Sequence, residues 1–204
     1  MMVETENSQG YYLLADLEKP FNAGSFFSND NPVELEIGAG RGDFLVGYAA
    51  DNPKRNFLAV ERKINYLKRG VSKARARDLD NVAFINVDIR YLLMEYVEAQ
   101  SLHAVHIYFP DPWPKKRHLR RRIVQKEFIE LLSEKMVPGG YLHFRTDHAH
   151  YFDQMMEIMG ELSGFKVIDP DADLLKHQTG FELRFRSRGL PIYIASYRWL
   201  GLSD

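Results

Sequence analysis

The spacing of apolar and polar residues changes period repeatedly along the chain. Val33-Glu-Leu-Glu-Ile37 alternates, as a strand does, and Asp43 to Ala50 then follows a helical run ended near Asn52-Pro53. Asn56 to Glu61 is a second apolar strand, Lys63 to Arg77 a basic helix, and Val82 to Asp88 a third strand. Tyr91 to Glu98 predicts a short helix and Leu102 to Tyr108 a fourth strand. Beyond a proline-rich interruption, Arg121 to Lys135 is amphipathic, with Ile123, Val124, Phe128, Ile129, Leu131 and Leu132 as its apolar positions. Pro138-Gly-Gly140 predicts a turn, Tyr141 to Asp147 a fifth strand, Asp153 to Leu162 a helix and Phe165 to Ile168 a short strand. Asp169 to Gly180 reads as a polar loop, and Phe181 to Phe185 and Ile192 to Trp199 as strands divided by Arg188-Gly-Leu-Pro191. Residues 1–30 show no period and are expected to form a loose N-terminal arm, with 31–204 as a single domain.

Strand and helix alternate through five units, which predicts an α/β fold with an open, mostly parallel sheet and helices on both faces. The last two strand signals, with no helix between them, predict a terminal antiparallel hairpin. In such sheets ligands sit beyond the carboxyl ends of the strands, where strand order reverses. Gly38–Gly42, Glu61, Asp88, Asp111 and Asp147 all lie at or just past a predicted strand end and should gather on one edge.

The interruption, Ile107-Tyr-Phe-Pro-Asp-Pro-Trp-Pro-Lys-Lys-Arg-His-Leu-Arg-Arg-Arg122, is the most unusual stretch. Each proline pushes the residue before it toward extended geometry, so Phe109, Asp111 and Trp113 are expected in a stiff, extended arm. Cations at 115, 116, 117, 120, 121 and 122 follow at once. Trp113 could stack on a base or pack under the arm.

Composition narrows the function. A chain of 204 residues has ample length for a core. It has no cysteine, which removes disulfides and thiolate metal sites. No apolar run approaches a membrane span. The net charge of −1 confines any nucleic-acid contact to a local patch, for which 115–122 is the candidate. The histidines show no metal-ligand spacing, so no metal is expected.

Gly38-x-Gly-x-Gly42, between a strand and a helix, allows backbone to approach a ligand closely. A dinucleotide fingerprint would need glycine at 43, where Asp43 stands. The spacing suits a nucleoside cofactor without a pyrophosphate, such as S-adenosylmethionine. Glu61 is then placed for the ribose hydroxyls, Asp88 for the adenine end and Glu36 for the ammonium of the methionine moiety.

Taken in order, Leu35-Glu-Ile-Gly-Ala-Gly-Arg-Gly42, Val60-Glu-Arg-Lys63, Asn86-Val-Asp88, Phe109-Pro-Asp-Pro-Trp-Pro-Lys-Lys-Arg-His118, Pro138-Gly-Gly140, Thr146-Asp147 and Thr179-Gly-Phe-Glu182 resemble the bacterial tRNA (guanine-N7)-methyltransferases over about residues 33–198. The resemblance implies a Rossmann-like class I methyltransferase in the cytoplasm, acting on tRNA, with guanosine 46 of the variable loop as target. It implies S-adenosylmethionine held by Glu36, Gly38, Gly40, Glu61, Asp88 and Asp111, with Asp111 also catalytic. Lys115, Asp147, Thr179, Phe181 and Glu182 would contact substrate, and Arg117, Arg120, Arg121 and Arg122 the RNA. No membrane, metal or obligatory protein partner is implied. Many relatives carry Ala where Ile89 and Arg145 stand, and Lys or Arg where Gly180 stands. Two other readings stay open: methylation of an exocyclic amine, disfavoured because Trp-Pro follows Asp111-Pro112, and RNA binding without catalysis.

Overall fold

The computed structural model describes residues 10–17 and 20–202. Among the described residues eight strands form one sheet in the order β1-β4-β3-β2-β5-β6-β8-β7. In chain order these are β1 (Tyr12–Leu13), β2 (Val33–Ile37), β3 (Asn56–Val60), β4 (Val82–Asn86), β5 (Leu102–Tyr108), β6 (Met136–Thr146), β7 (Phe165–Ile168) and β8 (Tyr193–Trp199). The helices are α1 (Asp43–Asp51), α2 (Ile64–Arg75), α3 (Ile89–Glu95), α4 (Lys126–Lys135), α5 (Ala149–Glu161), α6 (Ala172–Lys176) and α7 (Gly180–Arg186). Strands β1 to β6 pair in parallel, and β8 runs antiparallel to both β6 and β7. The strand order reverses between β2 and β5, so the loops after these two strands flank the switch point.

Helices cover both faces, as the alternation predicts. On one face Leu35, Ile37, Leu58, Val60, Val105, Ile107, Leu142 and Phe144 pack with the buried sides of α3, α4 and α5. On the other, Phe57, Ala59 and Tyr108 pack against Phe44, Leu45 and Tyr48 of α1 and Leu67 and Val71 of α2. Each large side chain so buried contributes roughly 1.5–3 kcal/mol.

Several sequence expectations are corrected. Phe181 to Phe185 is not a strand but most of α7. Thr179 caps it, its hydroxyl accepting the Glu182 N–H at 2.9 Å. The two-residue period of Phe181, Leu183 and Phe185 reflects a helix with Phe181 and Leu183 exposed. The terminal antiparallel pairing therefore joins β8 to β7 and β6, with α6 and α7 in the connection. Helix α6 lies within the expected polar loop, capped by Asp171. Helix α4 starts at Lys126, not Arg121, because Lys116–Arg121 is a 3-10 turn. Helix α5 starts at Ala149, under a His148 cap. Pro138-Gly-Gly140 is not a turn but an irregular stretch inside β6, where the register with β5 shifts between Leu102 and Ala104.

Part of the expected N-terminal arm (1–9, 18 and 19) lies outside the described residues. Of the remainder, β1 adds to the sheet edge beside β4, and Phe21, Ala23 and Phe27 are buried.

Candidate active site

Parallel pairing of β2 to β6 sends the chain out of the sheet at one edge five times. The glycine loop leaves β2, Glu61 follows β3, Asp88 lies just past β4, the proline arm leaves β5 and Asp147 follows β6. The predicted convergence on one edge is present.

Gly38, Gly40 and Gly42 have φ of +77°, +56° and +66°, a region that side chains disfavour. A Cβ at Gly38 would meet nothing within 4 Å, so the loop presents bare backbone to open space. The loop is tied to β3 through Gly38 and Ala39 N–H donated to the Val60 carbonyl, at 2.8 and 3.1 Å. Glu61 is fixed by backbone donors, Gly40 N–H at 3.0 Å and Lys63 N–H at 2.7 Å, which leaves further lone pairs on both oxygens. Asp88 caps α3 through the Arg90 N–H at 3.0 Å and lies exposed, 3.5 Å from the Arg62 guanidinium.

Glu34 and Glu36 occupy the β2 face that looks toward α1, and both are buried. Glu34 is paired with Arg55 at 2.7 Å and His106 at 2.8 Å. Burial alone would raise its pKa, but His106 and Arg55 outweigh it and hold the carboxyl below its usual value. Glu36 is different. Among the described residues its Oε2 is buried without a hydrogen-bond partner. Burial lifts its pKa to about 8. Arg145 opposes this, and the charges of Asp43 and Glu61 add to it. An orphaned carboxylate oxygen beside a bare glycine loop fits a ligand that brings a cation, and Glu61 fits one that brings hydroxyl donors. These are the groups of a sulfonium nucleoside amino acid.

The arm is not fully extended. Phe109 and Trp113 have φ of +49° and +40°, contrary to the expectation for pre-proline residues. Non-glycine residues in this region are held there by surrounding contacts. Phe109 donates its N–H to the Arg145 carbonyl at 2.8 Å, and its ring lies 6.5 Å from that of Phe181 and 5.6 Å from that of Phe185. Trp113 is half-buried, packed edge-on to His118 at 5.7 Å with the Arg121 guanidinium 5.0 Å from its centroid. In the free protein its ring thus packs within the arm. Asp111, between these two residues, is exposed.

Lys115, Arg117, Arg120 and Arg121 are exposed, as RNA contact requires. Arg122, expected among them, is 0% exposed, so the structure removes it from the RNA surface. Thr179 and Phe181 stand at the start of α7, which abuts the glycine-loop end of α1. A Cβ on Gly180 would collide with the Asp43 carboxylate. Glycine at 180 leaves this space to the Asp43 carboxylate, which a side chain there would displace. Glu182 is only 1% exposed, and its oxygens are taken by Arg145 at 2.8 Å and Arg186 at 2.7 and 2.9 Å. Its carboxylate is not presented to an incoming base. Asp147, which follows β6, is half-exposed.

Sequence reading missed three contributors. Asp43, in place of a third fingerprint glycine, contacts Lys73 of α2 and faces Glu36. Arg145 is 1% exposed, lies over the Tyr108 ring at 4.4 Å, and donates to the carbonyls of Leu174 and His177 as well as to Glu182. It fastens α6 and α7 to β6. The third is Arg122, which the sequence placed on the RNA surface and whose inward role it did not show. The only sequence signal for α7 was Thr179-x-x-Glu182, a capping box.

Residues 30–195 match a family model described as "Putative methyltransferase". A Geobacter metallireducens protein named tRNA (guanine-N(7)-)-methyltransferase is 36% identical over 95% of this chain and 94% of its own length. The Syntrophotalea carbinolica protein of that name is 34% identical over 92% and 83%, and that of Vibrio cholerae 36% identical over 84% and 74%. Among solved structures, the 16S rRNA methyltransferase KamB aligns with a TM-score of 0.61 at 15% identity, covering 85% of this chain and 90% of its own. The tRNA (m1A58) methyltransferase TrmI from Aquifex aeolicus aligns at 0.55 and 16% identity, covering 84% and 63%. At such identities the likeness is one of fold.

Proposed function

The chain belongs to the tRNA (guanine-N7-)-methyltransferase family, and from that premise we propose that it methylates guanosine 46 in the variable loop of tRNA, with Asp111 as the catalytic carboxylate. Its fold is the Rossmann-like fold of class I methyltransferases, and its cofactor is S-adenosylmethionine. The observation that carries the site assignment is the gathering of the glycine loop, Glu36, Glu61, Asp88 and the Asp111 arm at one sheet edge.

When bound, S-adenosylmethionine supplies an electrophilic methyl group on a sulfonium. The acceptor, guanine N7, has a free lone pair and no proton, so no general base is required. Transfer would form one N–C bond, break one S–C bond and move the positive charge from sulfur to the base. The residues must orient the two reactants, an effect worth about 7–11 kcal/mol in well-aligned reactions. Glu36 receives the ammonium, Glu61 the ribose hydroxyls and Asp88 the adenine end. Asp111 faces the charge that moves onto the base. Asp147 accepts from the guanine N1–H and exocyclic amine. Glu182 serves this edge through Arg145 and α7, and Thr179 and Phe181 at the start of α7 border the base. Lys115, Arg117, Arg120 and Arg121 hold the phosphates.

Labelled methyl transfer to unmodified tRNA tests this reading. N7-methylated guanosine is cleaved selectively after reduction and aniline treatment. A single scission at guanosine 46 is expected. Label without scission would mean another acceptor atom and would reject the proposal.

A further inference from the structure

We infer that Arg122 is a positioning residue that sets the geometry of the Asp111 arm, and that the basic run therefore divides into an outer RNA-facing part and one inward clamp. By sequence Arg122 cannot be told from Arg120 and Arg121. In the fold its side chain turns inward and is 0% exposed, whereas Lys115, Lys116, Arg117, Arg120 and Arg121 are exposed. Its Nε donates to the Pro112 carbonyl at 2.7 Å. Its Nη1 donates to Gln154 Oε1 at 2.6 Å and lies 3.2 Å from His150 Nδ1, both on α5. Its guanidinium lies 4.5 Å from the centroid of the Tyr151 ring.

The Pro112 carbonyl belongs to the peptide that joins Asp111-Pro112 to Trp113, whose φ is +40°. The direction of that peptide fixes how the chain leaves Asp111. Upstream, the Phe109 N–H is held by the Arg145 carbonyl. Only Pro110 and Asp111 lie between the two ties. An exposed carboxylate with no burial to hold it thus takes its position from its neighbours' backbone. A guanidinium suits the inward task because its fork reaches a carbonyl and a side-chain amide together, which a lysine ammonium cannot do in one plane. The inference rests on Asp111 as the reactive carboxylate, and the test separates the two ideas.

Arg122→Lys keeps the charge and loses the fork; Gln154→Ala removes one partner of the clamp and leaves Arg122 in place. Both are compared with an Arg120→Ala/Arg121→Ala variant in methyl transfer to tRNA across a salt series. Arg122→Lys is expected to lower kcat at least tenfold, and Gln154→Ala severalfold, with the KM for tRNA and the salt slope as in the parent. The Arg120/Arg121 variant is expected to raise KM and flatten the slope. An Arg122→Lys enzyme with parental kcat, or with the flattened slope of a lost phosphate contact, overturns the inference. Trp113 emission in a Trp199→Phe background reports the arm independently of activity. A shifted spectrum and altered quenching in Arg122→Lys are expected, and an unchanged spectrum overturns the inference. A parent enzyme that transfers no methyl, with the spectral shift present, rejects the functional reading while the clamp stands.

Discussion

Glu36 predicts a proton linkage that can be measured without tRNA. In the free protein its buried carboxyl has a pKa of about 8, so at pH 7 roughly nine-tenths of it is protonated. An ammonium placed against the orphaned oxygen favours the ionised form. If the bound value returns to the ordinary carboxylate range, Glu36 releases about 0.9 proton when S-adenosylmethionine binds at pH 7, and the net release falls to about zero near pH 8, where the ligand's ammonium takes up as much as Glu36 gives. Affinity then rises about ninefold from pH 6 to pH 7. It peaks near pH 8, because an α-ammonium itself loses its proton there. Calorimetric titration in two buffers of small and large ionisation enthalpy reads the released proton directly. Glu36→Gln, of the same shape without a titrating group, should abolish both the buffer dependence and the rise below pH 8. The ligand-free protein carries the opposite linkage. A carboxyl whose folded pKa lies above its unfolded value of 4.5 contributes stability fully below pH 4.5 and loses it as pH rises through about 8. The free protein should therefore lose stability between pH 6 and 8.5, less so in Glu36→Gln. Equal binding enthalpies in both buffers at pH 7, with equal affinities at pH 6 and 7, would refute the assignment of Glu36 to the ammonium.

Three further outcomes follow from the geometry. Asp111→Ala should lose methyl transfer with its melting temperature within a degree or two of the parent, since an exposed acid contributes little to stability; a parental rate would remove Asp111 from catalysis. Combined Ala substitution of Arg117, Arg120 and Arg121 should reduce the slope of log affinity against log salt by about 2–3, and an unchanged slope would place the RNA elsewhere. Arg145→Met leaves Glu182 paired only with Arg186 and removes the donor to the Leu174 and His177 carbonyls, and it should destabilise the protein by about 1–3 kcal/mol. Hydrogen exchange in that variant should rise first across 172–186, and uniform exchange would mean that Arg145 does not fasten α6 and α7.

Local pattern was enough for the parallel core. Alternation in β2 and the apolar runs of β3 and β5 report which residues fill a pleated surface, and the acids at strand ends mark the edge that parallel pairing shares. The glycine loop was legible because glycine acts on its own backbone, whereas the proline arm was legible as a break but not in its shape, since Phe109 and Trp113 take positive φ. The helix over 180–186 was misread because Phe181, Leu183 and Phe185 repeat every second residue. What makes it a helix is the Thr179 cap and the docking of Glu182 on Arg145, a residue 37 positions away. The roles of the charged residues were least legible. Glu34 and Glu36 stand two residues apart on one face of one strand. Glu34 found Arg55 and His106, and Glu36 was left an unpaired oxygen. Arg120, Arg121 and Arg122 are consecutive, and only the last turned inward. Sequence alone determined the elements of the parallel core, their order and the edge where the chemistry sits, because these follow from backbone preference and burial period. The tertiary structure decided which charges meet a partner, because that depends on side chains brought from distant strands and helices into a space from which water is excluded.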